Sequence, residues 1–349
     1  MEFGLSHEQT LLADSVGRFL TDQAPLDRVR RFTADGDDGD IWDGLCSLGI
    51  PSLLVPEEAG GAELSCLEAA LVAEVLGYHA TPAPFLGTAV AAPVALRGAG
   101  DEHDRLAAIA AGSLRVGLAA GQSTGARGDA GVLFKGGRLS GKALFVTDFP
   151  ADAYLVADDE RRLHLVSAGA EGLTGRRLTT IDRTRPTGEL GFDGTRALLS
   201  IDDPAVLDRV LDAARVALAA DTLGAAQRML DQAVAYAGER RQFNRPIGSF
   251  QAVKHACADM QVHIAVTRQL VRAAIESVVH GRDDGAASMA KSYASTAAVD
   301  IAGKAMQLHG GIGYTWESGI HVYLKRAALN RSLFGSPAVH RKELAKRYV

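Results

Sequence analysis

The chain has 349 residues, a formal net charge of −5 and 47% hydrophobic residues. That length predicts two or three domains, and 23% charged residues with near-average hydrophobicity exclude a disordered chain, a collagen or a coiled-coil rod. No long basic run is present, which argues against a nucleic-acid or anionic-membrane surface and for a small-molecule or protein partner.

The opening MEFGLSHEQT carries acids early and no basic stretch followed by an apolar one, so it is not expected to be a signal peptide. From Ser6 a helix cap precedes an apolar stripe through Leu11, Leu12, Val16, Phe19 and Leu20. A second stripe uses Ile41, Leu45 and Leu48 and stops at Gly49, and a third runs from Leu67 to Leu76 and stops at Gly77. VPEEAGG at 55–61 reads as a loop. The Ala/Val stretch near 89–96 is cut by Pro93 and stopped by Arg97, so no apolar run approaches the roughly 18 residues of a membrane span. Cys46, Cys66 and Cys257 are an odd, widely spaced set without a CxxC pair; they fit neither a disulfide framework nor a zinc site and suggest a reducing compartment. A cytoplasmic protein is expected.

From about Arg115 to Ser200 the period shortens. VLF (132–134), LFVT (144–147), YLVA (154–157) and LHLVS (163–167) read as strands, with hairpin tips at Lys135-Gly136-Gly137 and Asp158-Asp159-Glu160. Asp203-Pro204, a cap followed by proline at the first helical position, opens a helix to about Arg240, ~54 Å long at 1.5 Å per residue. Further helices are predicted at about 250–280, 285–308 and 318–333, and a last one from Ser336-Pro337. The expected domains are 1–112 (helical), 113–203 (a small β-barrel or sandwich) and 204–349 (an antiparallel four-helix bundle).

Two segments concentrate chemistry. YAGERRQFNRPIGSFQ (236–251) sets Arg240, Arg241 and Arg245 around Gln242, Phe243 and Gln251. Guanidinium forks suit a pyrophosphate and an aromatic ring suits adenine or a dimethylbenzene ring, while a solvated interhelical loop with a proline turn explains the same residues. QLHGGIGY (307–314) lets backbone N–H groups approach a ligand closely, or simply terminates a helix. It is no dinucleotide fingerprint, because no strand precedes it and the GxGxxG spacing is absent.

Together with the opening FGLSHEQTLLADSV and LGIPSLLVPEEAGGAELSCLEAALVAEVLG, these segments resemble the acyl-CoA dehydrogenase family over nearly the whole chain. The resemblance implies an FAD flavoprotein that forms a Cα=Cβ bond in an acyl-CoA thioester, in oligomers where one subunit's bundle reaches the adenine half of its neighbour's FAD. It assigns Arg240, Gln242 and Phe243 to the family's R-x-[QTA]-F element, Gln251 to its F-Q, and Gln307, Gly310 and Gly311 to its Q-x-x-G-G turn. It also places Thr147, in Phe145-Val146-Thr147, where the family's W-[IV]-[ST] meets the flavin, with Phe145 replacing an indole.

The family's T-E-P-x-x-G-S-D segment is replaced by LAAGQSTGARGD (118–129). At the two positions where family members carry a catalytic carboxylate stand Gly335 and Ala214, so no catalytic base is expected. Asp221 lies seven residues beyond Ala214, ~10 Å along the axis, too far to substitute and expected as a polar surface residue. Glu317 is expected as a solvated or cap residue, His309 near the cofactor, and His321 and His340 at the surface or an interface. The resemblance therefore implies a base-lacking subunit that completes the FAD site of a homologous partner in an α2β2 assembly. Such pairs act on steroid or other bulky acyl-CoA substrates and pass electrons to an electron-transfer flavoprotein or similar acceptor. A homo-oligomeric flavoenzyme with an unrecognised base, or a non-catalytic acyl-CoA-binding scaffold, remain as alternatives.

Overall fold

In the computed structural model, which describes residues 4–35, 39–97, 99–100, 102–124 and 130–348, helices occupy the chain as far as Ala110. They are α1 (His7–Gln23), α2 (Leu26–Asp35), α3 (Gly39–Ser47), α4 (Cys66–Tyr78), α5 (Ala92–Leu96) and α6 (His103–Ala110), with a π-helical turn over Leu86–Ala91 leading into α5. Two of these start on reciprocal caps. The Ser6 hydroxyl accepts from Gln9 N while Gln9 Oε1 accepts from Ser6 N, and Ser65 and Glu68 repeat the arrangement at α4.

The middle of the chain forms one eight-stranded sheet from β1 (Val116–Ala119), β2 (Gly131–Lys135), β3 (Arg138–Thr147), β4 (Ala153–Ala157), β5 (Leu163–Ser167), β6 (Leu173–Arg177), β7 (Thr187–Arg196) and β8 (Leu199–Ile201). Its order is β6-β7-β3-β1-β4-β5-β8, with β2 paired outside that path on β3; among the described residues β1 and β4 pair parallel and the other neighbours antiparallel. The two expected hairpin tips join β2 to β3 and β4 to β5. Strand alternation divides the core: Leu118, Leu155 and Leu165 join the large helical core, whereas Val132, Leu139, Val146, Tyr154 and Val156 fill a second cluster on the opposite face. Ser200 Oγ, His164 and Asp158 are linked at 2.9 and 3.0 Å in the order of a catalytic triad. Asp158 is saturated by Arg162 and two backbone N–H groups and the imidazole is fully buried, so this chain of bonds fastens the β4–β5 tip to β8.

The C-terminal part holds α7 (Pro204–Glu239), a two-stranded hairpin of β9 (Arg241–Gln242) and β10 (Arg245–Pro246), α8 (Gln251–Val279), α9 (Ala286–His309), α10 (Ile320–Ser332) and α11 (Pro337–Ala345). α7 packs against α4, α8, α9 and α10. A helix enclosed on all sides must be apolar all round, and VALAADTLGAA shows how it is met, with small residues that admit neighbouring backbones. A Cβ on Gly77 would lie 1.9 Å from the Asp221 carbonyl oxygen, and one on Gly224 1.8 Å from that of Glu74. α4 and α7 thus touch backbone to backbone. No helix among the described residues is long and apolar enough to cross a membrane.

This contact makes two glycines of α7 respond oppositely. Gly224→Ala should force α4 away and destabilise the chain by about 1–3 kcal/mol or more. Gly238→Ala on the same helix, exposed with nothing near its Cβ direction, should stabilise by about 0.5–1 kcal/mol. Urea denaturation of the two variants distinguishes a helix-crossing constraint from a general intolerance of α7 to substitution.

Candidate functional site

Tyr236 near the end of α7 stacks on His309 at the end of α9, with centroids 4.6 Å apart and planes at 19°. His309 Nδ1 bonds the Ala305 carbonyl oxygen at 2.8 Å. This stack brings the β9–β10 hairpin and the glycine turn to the same end of the bundle. The hairpin turns through Phe243 and Asn244, both at positive φ (51° and 62°), the signature of a two-residue type I′ turn that aspartate, asparagine and glycine ordinarily occupy. Phe243 accepts this backbone and is 86% exposed, its ring edge-on to Phe250 at 6.1 Å. Arg245 lies over Phe250 at 4.0 Å, and Ile247 N donates to the Arg240 carbonyl oxygen at 2.8 Å, so the tip is braced.

Arg240, Gln242, Gln251, Gln307, Gly310 and Gly311 are all exposed at this end. Gly310, at φ 62°, adopts a conformation that favours glycine. Gly311 does not, and a Cβ on it would meet nothing within 4 Å. Nothing inside this chain asks for glycine there, so the space beside it is open to an incoming group. Guanidinium, amide, backbone N–H and an aromatic face, exposed together on a braced end, fit the phosphate and adenine portion of FAD.

Thr147 is placed elsewhere. It pairs in register with Thr187 at the start of β7, two residues after Arg185, whose Nη2 lies 3.0 Å from Asp221 Oδ2 in the middle of α7. Arg240 is 19 residues further along that helix, ~28 Å at 1.5 Å per residue. Thr147 is fully buried and its hydroxyl has no hydrogen-bond partner. An unpaired hydroxyl suits a polar ligand edge, but with no exposed surface it reaches one only if the chain around it moves. Asp148 beside it accepts from Gly87 N at 2.5 Å. Of the stretch 118–129, residues 125–129 lie outside the described residues. Ala214 is wholly buried in the helical core and Gly335 is buried at the start of the turn into α11; neither has a carboxylate.

Asp221 corrects the expectation of a surface residue. It is 3% exposed and lies between two guanidiniums: Arg326 at 2.6 and 3.1 Å, and Arg185 at 3.0 Å. Asn330 Nδ2 donates to it at 2.7 Å, and Arg326 also donates to the Thr81 carbonyl oxygen and to Thr184 Oγ1. Burial pushes the Asp221 pKa up, but Arg326 and Arg185 outweigh it and hold it below the ordinary value. A base needs the reverse, so Asp221 is a structural anion. Its partners were not singled out from the sequence; the signal was a lone carboxylate inside an Ala/Leu/Val run too long to leave it a wet face. His340 is a second correction, being 1% exposed, and both ring nitrogens of His321 are buried without partners. α11 packs that face of His340 against α9, whereas His321 is half-buried, edge-on to the exposed Trp316 at 4.5 Å, and lies at the surface. Glu317 is exposed as expected.

A family model described as the acyl-CoA dehydrogenase N-terminal domain matches residues 6–112, and one for the C-terminal domain matches 205–349. The acyl-CoA dehydrogenase IpdE2 of Mycolicibacterium smegmatis is 33% identical over 336 residues, 95% of this chain and 96% of that one. Its Mycobacterium tuberculosis counterpart is 33% identical over 333 residues, 95% of this chain and 94% of that one. Among solved structures, a variant of the Tcur3481–Tcur3483 steroid enzyme superposes with a TM-score of 0.90 at 31% identity, covering 97% of both chains. The ChsE4–ChsE5 complex from Mycobacterium tuberculosis superposes with a TM-score of 0.92 at 25% identity, covering 100% of this chain and 99% of that one.

Removing the Asp221 charge should unfold more than it inactivates. Asp221→Ala leaves two buried guanidiniums without their counter-ion and should cost about 3–5 kcal/mol. Because the folded pKa lies below the unfolded one, the carboxylate's contribution is complete above about pH 4 and is lost as pH falls through the folded value. Acid titration followed by circular dichroism should therefore show a shallower acid limb in Asp221→Asn than in the native chain, with no difference in slope near neutrality.

Proposed function

The chain belongs to the acyl-CoA dehydrogenase family, FAD-dependent oxidoreductases acting on CH–CH groups, and from that premise we propose that it is a subunit without its own catalytic base that completes the FAD site of a homologous partner in an α2β2 assembly. The support is the division between its two half-sites. Residues suited to the adenine side stand exposed on the bundle end, while Thr147 is sealed and Gly335 and Ala214 offer no proton acceptor. FAD, when bound, supplies the hydride acceptor for oxidation of the acyl thioester. In this reading Arg240 and Gln242 bind its phosphates, Phe243 covers an aromatic ring, Gln251 and Gln307 fix orientation, and the Gly310–Gly311 backbone donates hydrogen bonds.

The domain breaks on this reading fall at 112/113 and 203/204, and the location is cytoplasmic. Relatives named as a steroid enzyme pair and a two-protein complex support a bulky, steroid-derived acyl-CoA as the substrate of the assembly, with electrons leaving to an electron-transfer flavoprotein or similar acceptor.

The visible spectrum tests this directly. The purified chain alone should be colourless, and the same chain co-purified with its homologous partner should show the flavin band at one FAD per pair. A yellow lone chain that oxidises an acyl-CoA would instead establish the homo-oligomeric enzyme, with Thr147 serving a flavin of its own. A pair that stays colourless would leave only the scaffold reading. Arg240→Ala and Gly311→Val should each lower flavin retention by the pair while leaving the lone chain's thermal midpoint nearly unchanged, since both positions are open to solvent.

A further inference from the structure

Gly335 is closed to a side chain by its surroundings as well as by its backbone. Its φ is 107°, a region that favours glycine. A Cβ there would lie 2.8 Å from both Cε1 and Nε2 of His340, nearer than carbon atoms pack. The imidazole has nowhere to swing: His340 is 1% exposed and its Nδ1 is 3.2 Å from Ser288 Oγ.

The segment is also held from its other side. Lys291, wholly buried, directs Nζ to the carbonyl oxygens of Asn330 at 2.7 Å and Gly335 at 3.4 Å and to Ser295 Oγ at 3.1 Å. Arg215 Nε lies 3.5 Å from the carbonyl oxygen of Phe334, itself at φ 51°. Burial and the Arg215 charge push Lys291 down to about 7. Burial, then Arg215 and Lys291, push His340 down to about 3, partly offset by the Gly335 backbone, so the ring is neutral near pH 7. Basic groups around position 335 would attract a carboxylate. Charge therefore does not keep one out; space does.

We propose that His340 is the residue that closes position 335: its imidazole fills the volume that a side chain there would enter, so a base cannot be regained by substitution at 335 alone and requires room at 340 as well. The functional meaning rests on reading 335 as the base position of the function proposed above. The steric claim does not.

A double-mutant cycle on the full chain tests it, using Gly335→Ala, His340→Ala and the pair, with the thermal midpoint as readout. The backbone strain of alanine at φ 107° is present in both backgrounds, so the difference isolates the imidazole contact. Gly335→Ala should lower the midpoint by about 4 °C or more in the native background, and by less than half as much beside His340→Ala. Equal drops in the two backgrounds would overturn the role of His340. Should Gly335→Ala fail to fold, a folded double variant supports the proposal and an unfolded one overturns it. Turnover of an acyl-CoA by the lone native chain would sink the base-free reading without touching the cycle, so the two failures are separable.

Discussion

A carboxylate in the middle of a helix packed on all sides must find its counter-charges inside the protein. Asp221 finds them on separate parts of the chain: Arg185 on the connection between β6 and β7, and Arg326 on α10. Arg326 in turn reaches the Thr81 carbonyl oxygen just after α4 and the Thr184 hydroxyl. The N-terminal helices, the sheet and the bundle thus meet at one buried anion. Two charged partners removed from water are no gain over apolar packing, but once present they cannot be separated cheaply. The network therefore supplies register more than stability: α7 cannot slide or rotate against α4 and β7 without exposing an unpaired charge. The backbone contacts at Gly77 and Gly224 fix the same crossing sterically.

Much of this architecture was legible in the residues. Ser6, Asp203-Pro204 and Ser336-Pro337 each begin a helix because a short polar side chain satisfies an orphan N–H and proline needs no donor there. Apolar runs marked β2, β3, β4 and β5, whereas β1, β6, β8 and above all β7 were not marked. Its sequence TGELGFDGTR carries three glycines and an aspartate, and its pairing with β3 and β6 overrides weak local preference. The π-helical turn at Leu86–Ala91 was equally silent, since an apolar run of that length has no period to betray an extra residue per turn.

The site was legible by half. The arginine, glutamine and glycine elements at 240–251 and 307–311 are local in sequence, and the Tyr236–His309 stack only brings the two pieces together. What surrounds Asp221 and Gly335 is assembled from separate elements: Lys291 on α9, Asn330 and Arg326 on α10, His340 on α11, and Arg185 on the β6–β7 connection. No spacing rule predicts such partners. The sequence does mark the need for them, because a charged or imidazole side chain on a face that helical periodicity turns inward has to be matched by something.

Two glycines show why position alone is a poor guide to role. Gly311 has an ordinary backbone and open space where a side chain would stand, so nothing within the chain demands glycine there. Gly335 has a left-handed backbone, an imidazole against its missing Cβ and a carbonyl held by Lys291, with the preceding Phe334 carbonyl held by Arg215, so the demand comes from within. On the function proposed above, the outer turn serves a neighbour and the inner turn is where a self-sufficient enzyme would carry its proton acceptor. Here the outer turn is open while the inner one is packed shut by His340 and held by Lys291 and Arg215. A carboxylate replaced by glycine alone would leave a gap at its place; at 335 a neutral ring braced by Ser288 stands against that place, which is the packing expected if, as proposed, the chain contributes through its outer surface.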